Sequence, residues 1–233
     1  MFFGASFSRY GFDFRPLFIQ FFTRKSLNNF RQSLVEANLL FQQLIQSYTF
    51  DQSASVSASE SSTNAFSPPM VLVHYTPLAV YCNSLLTAFN DLRLCCPISN
   101  VVTIKQLLTD SLIFVRDHLC NYYQSERLTL TVSEFQHFLE FLRIVVNIFN
   151  PYIGSCLQAL FPDEQLARTL GVSILDITEK SKLNRIDLDQ ISQPIQKIID
   201  AMAPKRTDSS DERSTTIKSV TTETDKNQVE THD

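Results

Sequence analysis

Only four glycines, Gly4, Gly11, Gly154 and Gly171, punctuate this chain of 233 residues. Sheet-rich folds turn tightly and often, and their commonest hairpin turns need a positive φ that glycine supplies most cheaply. A chain this poor in glycine offers few such turns, which disfavours a sheet-rich fold. No two of the glycines sit together in a phosphate-cradling loop, so P-loop and dinucleotide motifs are absent.

Helix signals take the place of turns. Pro16 suits the first turn of a helix. Leu17, Phe18, Phe21, Phe22, Leu34, Leu39, Leu40, Phe41 and Leu44 then recur at intervals of three and four, which predicts a helix over 12–50. Thr76-Pro77 opens the next helix, PLAVYCNSLLTAFNDLRL. Pro97 starts another element, with Val101, Ile104, Leu107, Leu108, Leu112, Val115 and Leu119 on one face. Ser133 and Gln136 have the spacing of a capping box. Asn150-Pro151 starts a helix running to about Phe161, and Pro162-Asp163 starts one that Gly171 would close. Residues 173–191 carry no clear period. Gln193-Pro194 opens a last helix through Met202, ended by Pro204.

Two stretches break the pattern. Residues 51–70 hold seven serines and end near Pro68-Pro69, the composition of a flexible linker. Residues 205–233 hold five Lys or Arg, seven Asp or Glu and few large apolar side chains, too little to order a segment. The expected class is all-α, a helical bundle within a rod-like array. Residues 1–50 form a long amphipathic helix belonging to a preceding bundle, 51–70 the linker, 71–204 a C-terminal helical bundle and 205–233 a disordered tail. Residues 61–90 lack charge, but Pro68, Pro69, His74, Pro77 and Asn83 interrupt them. The apolar helical part is too short for a hydrocarbon core of about 30 Å, and reads as a buried helix.

The charge balance of −4 gives no reason to expect nucleic acid as a partner, because phosphate binding needs a clustered basic surface. Five cysteines, an odd number with no C-x-x-C, fit a reduced compartment rather than a disulfide framework. Cys95-Cys96 lies between Arg93 and the proline that starts the next element. It reads as either an activated thiol or soft packing at a helix corner, and the second needs no extra chemistry. His74, His118, His137 and His232 are scattered, so no metal or cofactor site is expected. Nothing resembles G-x-S-x-G, H-E-x-x-H or a catalytic carboxylate pair, so no enzyme and no catalytic residue is expected.

The polar group Asn83, Asn90, Asp91 and Arg93 interrupts an apolar helix. Asn83 and Asn90, seven apart, share a face, and Asn90 neighbours Arg93. Buried, such groups would form a network that fixes helix register; exposed, they would contact a partner protein. At the other end, 11 of 19 phenylalanines fall in residues 1–50, alongside five Lys or Arg and two Asp or Glu. That pattern suits a helix buried against other helices, and also one lying on a membrane surface.

FSRYGFDFRPLF (7–18), PPMVLV (68–73), PLAVYCNSLLTAFNDLRLCCP (77–97), PYIGSCLQALFP (151–162) and RTLGV (168–172) carry a resemblance. In collinear order over about 7–205, they resemble the C-terminal half of the subunit 8 family of the conserved oligomeric Golgi complex, with AFNDLRLCCP the most specific piece. The resemblance implies a non-catalytic helical-rod subunit that supports intra-Golgi retrograde vesicle tethering, protein transport and Golgi organisation. It implies a peripheral place on the cytosolic face of the Golgi membrane, reached through the complex. The implied partners are second-lobe subunits, subunit 1 and Golgi SNARE proteins. Members of the family extend much further on the N-terminal side, so the chain is expected to be a fragment. Without the resemblance, the runner-up is a stand-alone membrane-associated adaptor that binds through the aromatic N-terminal helix.

Overall fold

The computed structural model describes residues 15–50, 67–94 and 97–202. Most of the Ser-rich linker (51–66), Cys95-Cys96 and the charged tail from 203 onward lie outside them. The described residues form an all-helical bundle without a strand. In chain order the elements are α1 (Arg15–Ser47), a 3₁₀ turn (Met70–His74), α2 (Thr76–Leu94), a second 3₁₀ turn (Ile98–Asn100) and α3 (Val101–Glu126). They continue with α4 (Val132–Ile144), a π-turn (Val145–Phe149), α5 (Asn150–Leu160), α6 (Asp163–Leu170), a second π-turn (Asp176–Ser181) and α7 (Leu188–Met202).

The long first helix, expected to belong to a preceding bundle, packs here along α2 and α3. Phe30, Leu34, Ala37, Phe41 and Ile45 recur at helical spacing and are buried as one stripe. Phe30 stacks on Phe89 of α2 at 6.1 Å and Phe41 meets Tyr81 at 5.4 Å. Burying each such side chain stabilises by about 1.5–3 kcal/mol. The core then passes to α7, which sits against α3, α4 and α5, while α2 touches α5. Residues 98–126 are long and apolar enough to cross a bilayer. However, Val101, Ile104, Leu108, Leu112, Val115 and Leu119 are buried among the neighbouring helices, so this is the core helix of the bundle.

Three helix boundaries differ from the sequence reading, each for a local reason. The capping box before α4 is Thr131 with Glu134, two residues earlier than Ser133 with Gln136. Thr131 accepts from the Glu134 backbone N–H, and Glu134 takes the Thr131 N–H at 2.9 Å. The Thr131 hydroxyl, which donates to Glu134 Oε2 at 2.7 Å, and then the Thr131 N–H hold the Glu134 carboxyl below its ordinary pKa. Pro151 does not begin a new helix. The helix runs on from Val132 to Leu160, and the π-turn just before the proline absorbs its missing N–H, with Asn150 N–H donating to Val145. Pro194 likewise lies inside α7, which starts at Leu188. Pro194 cannot donate to the Gln190 carbonyl, and Arg116 Nη1 of α3 reaches that oxygen at 3.5 Å instead.

Gly171 closes α6 as its spacing suggested, at φ 68° with its N–H on the Ala167 carbonyl. The stretch without clear period holds a second left-handed residue, Lys182 at φ 43°, just after the second π-turn. A β-carbon makes that conformation costly, and Lys105 Nζ holds it by donating to the Lys182 carbonyl at 3.1 Å.

Candidate functional site

Helix α2 presents two faces of different chemistry. Its inner face buries Leu78, Tyr81, Cys82, Leu85, Ala88, Phe89 and Leu92. Its outer face carries Asn83, Asn90, Asp91 and Arg93, all exposed. Among the described residues, no side chain of these four takes a hydrogen bond or ion pair. The four thus lie on the solvent side of α2 and not in a buried network.

Asn90 and Arg93 line an open groove of about 860 Å³ between α2, α5 and the start of α6. Leu86, Phe89, Leu160 and Pro162 supply its apolar wall, and Gln158 and Gln165 add amide groups. An apolar strip edged by a guanidinium and three amides can hold a helix or an extended peptide. It lacks the paired acid and base that proton transfer would need. No cluster of His, Cys, Asp or Glu among the described residues has the makings of a metal site.

A buried polar network that sets helix register is present one turn away, at residues the sequence reading did not single out. Tyr81 Oη and Ser111 Oγ lie 2.7 Å apart, and Ser111 Oγ donates to Asn38 Oδ1 at 2.6 Å. One residue comes from each of α1, α2 and α3. Burial pushes the Tyr81 phenol well above its ordinary range, so it stays protonated and able to donate. The available signal was Ser111, a hydroxyl within the apolar stripe between Leu108 and Val115. We expect Tyr81→Phe to cost about 1 kcal/mol, read as a lower urea midpoint at unchanged slope.

The described cysteines are built into packing. Cys82 is buried beside Cys156, and burial raises its thiol pKa to about 12. Cys120 and Cys156 are raised in the same direction, first by burial. None of the three offers a thiolate near neutrality.

Comparison with known proteins gives the arrangement a lineage. The chain is 33% identical over 214 residues to mouse conserved oligomeric Golgi complex subunit 8, covering 88% of this chain. The human protein of the same name gives 33% over 216 residues and 88% of the chain, and the Drosophila melanogaster protein 27% over 208 residues and 87%. Over most of its length the chain is thus similar to proteins named conserved oligomeric Golgi complex subunit 8. It spans about a third of the length of these relatives, 33% of the mouse protein and 34% of the human one. The resemblance carried by the segments between 7 and 205 agrees with these similarities. Homology of this extent does not favour the stand-alone adaptor. No family model and no solved structure matches the chain.

Proposed function

We propose that this chain is a non-catalytic part of a Golgi tethering-complex subunit, acting through protein–protein contacts to support intra-Golgi retrograde vesicle tethering and Golgi organisation. The carrying observation is the 33% identity over 88% of the chain to proteins named as subunit 8 of that complex. The helical architecture supports this reading: it supplies long packed faces and an open groove rather than an enclosed reaction chamber. The proposed partners are other subunits of the complex, those of the second lobe and subunit 1, with Golgi SNAREs as transient ones. Its proposed place is the cytosolic face of the Golgi membrane, reached peripherally through the complex.

Within that reading, Asn83, Asn90, Asp91 and Arg93 are proposed as a partner-contact face. Their exposure and the adjoining groove support it. Affinity capture of the chain from an extract of its own source, read by mass spectrometry, tests the assembly. Recovery of other subunits of the complex is the expected result. Arg93→Glu combined with Asn90→Ala should leave the thermal midpoint unchanged, because both side chains are exposed. It should reduce subunit recovery roughly tenfold or more, since arginine is a frequent interface hot spot. Undiminished recovery would place the contact elsewhere.

A further inference from the structure

Helix α1 is longer than the bundle it packs on. Its 33 residues extend about 50 Å, against about 29 Å for the 19 of α2 and about 39 Å for the 26 of α3. The first fully buried side chain on it is Phe30. Among the described residues, a tie near this end is Asn100 Nδ2 donating to the Thr23 carbonyl at 3.4 Å. Beyond that point Phe18, Ile19, Phe21 and Phe22 are exposed at 58%, 63%, 64% and 55%. At about 100° per residue they cover roughly 160° of the helix circumference. Ile19 falls on the side that faces the core further along, yet is exposed.

Soluble surfaces rarely leave four large apolar side chains together in water, so this end has an occupant. The charges say which kind. Residues 15–35 contain Arg15, Arg24, Lys25 and Arg31, and no Asp or Glu. Arg24, Lys25 and Arg31 are exposed. A coiled-coil seam would be narrow and rich in branched aliphatic residues at heptad positions. Here the apolar arc is wide and aromatic, and Lys25 stands within it. Wide aromatic coverage with basic neighbours matches the boundary between headgroups and acyl chains of an anionic bilayer.

We propose that the projecting end of α1 is a lipid contact that docks on the surface of anionic membranes. It inserts Phe18, Phe21 and Phe22 to headgroup depth, with Arg24 and Lys25 at the lipid phosphates. The contact is auxiliary. A few aromatic rings and a few charges give reversible binding, which complex membership would reinforce. It does not depend on the subunit reading.

The test is flotation of the full chain with phosphatidylcholine vesicles, with and without phosphatidylserine. The expected result is binding to the anionic vesicles only, weakening as salt is raised. Phe18→Ser, Phe21→Ser and Phe22→Ser together should weaken it on the order of a hundredfold, and Arg24→Glu with Lys25→Glu about tenfold or more. Val35→Ser with Leu39→Ser, exposed apolar positions further along α1, should leave it unchanged. All the replaced side chains are exposed, and circular dichroism confirms folding of each variant. Three results overturn the proposal: equal binding to neutral vesicles, binding indifferent to the phenylalanine changes, or no vesicle binding. In the last case, self-association abolished by the same changes would identify a second copy as the occupant.

Discussion

Phe50→Ala is expected to lower stability by about 3–5 kcal/mol, a fall of roughly 10 °C in thermal midpoint for a domain of this size. Phe50 follows the end of α1 and is 2% exposed. Its ring meets Tyr48 at 4.9 Å, Phe138 at 5.2 Å and Phe141 at 5.6 Å, all edge-on, and Tyr122 at 5.9 Å. Edge-on ring pairs add about 0.5–1.5 kcal/mol each beyond the area they bury. Removing the ring leaves a cavity among side chains from α3 and α4 that are themselves fixed by other rings, so little collapse can fill it. Phe50→Leu should cost less, about 1.5 kcal/mol, because it keeps most of the volume. Urea unfolding measures both. A loss under about 1 kcal/mol for the alanine would mean the ring cage does not anchor the end of α1.

The second large effect is expected at Asn184, which is 1% exposed. Its Nδ2 donates to the Phe161 carbonyl and to Asp163 Oδ1, each at 2.7 Å, and so clamps the corner between α5 and α6. Asn184→Asp removes both donated bonds and sets a second carboxylate against Asp163. About 3 kcal/mol should be lost at neutral pH, where both groups would be charged in the unfolded chain. Burial and the Asp163 charge must raise the folded pKa of the new carboxyl above its unfolded value of about 3.9. Below that value both states hold the proton and the charge penalty vanishes. As pH rises through it, the unfolded chain releases a proton that the folded chain retains, so the penalty grows until the folded pKa is passed. Asn184→Ala loses the donors without adding a charge, and its cost should be flat over the same range. Parallel pH dependence in the two variants would remove the charge argument.

Helix existence was legible in this chain because apolar residues at three- and four-residue spacing survive whatever lies around them. The stripe expected on α3 is buried apart from half-buried Leu107, whereas on α1 only Leu34 and Phe41 of the expected positions are buried and Phe18, Phe21, Phe22, Leu39 and Leu40 are exposed. Boundaries were less legible where two cues compete. Pro151 and Pro194 each resemble a helix start, since the first turn tolerates proline. What keeps the helix going is remote or non-local: a π-turn in one case, Arg116 from α3 in the other. The same limit governs the candidate site. Spacing showed that Asn83, Asn90 and Arg93 share one side of α2, but not that the side faces water, because burial is decided by α1 and α5. The Tyr81, Ser111 and Asn38 network joins three helices, and its members lie 30 and 73 residues apart in the chain. No local pattern announces such a pairing. The split character of α1 was hidden for a related reason. Its phenylalanines look alike in sequence, yet Phe30 and Phe41 are buried against α2 while Phe18, Phe21 and Phe22 are exposed.

The π-turn at Val145–Phe149 has a consequence for the whole second half of the bundle. A π-turn holds one residue more than an α-turn, and one residue is about 100° of rotation. The apolar stripe of α5 is therefore out of phase with that of α4, although the two are one continuous rod. Before the turn, Phe138 meets Tyr122 and Tyr123 of α3 in a helix that also packs on α7; after it, Ile153 and Leu157 lie in the segment that meets α2 as well as α7. A single-residue phase shifter thus lets one helix serve neighbours lying in different directions, a task that otherwise takes two helices and a loop.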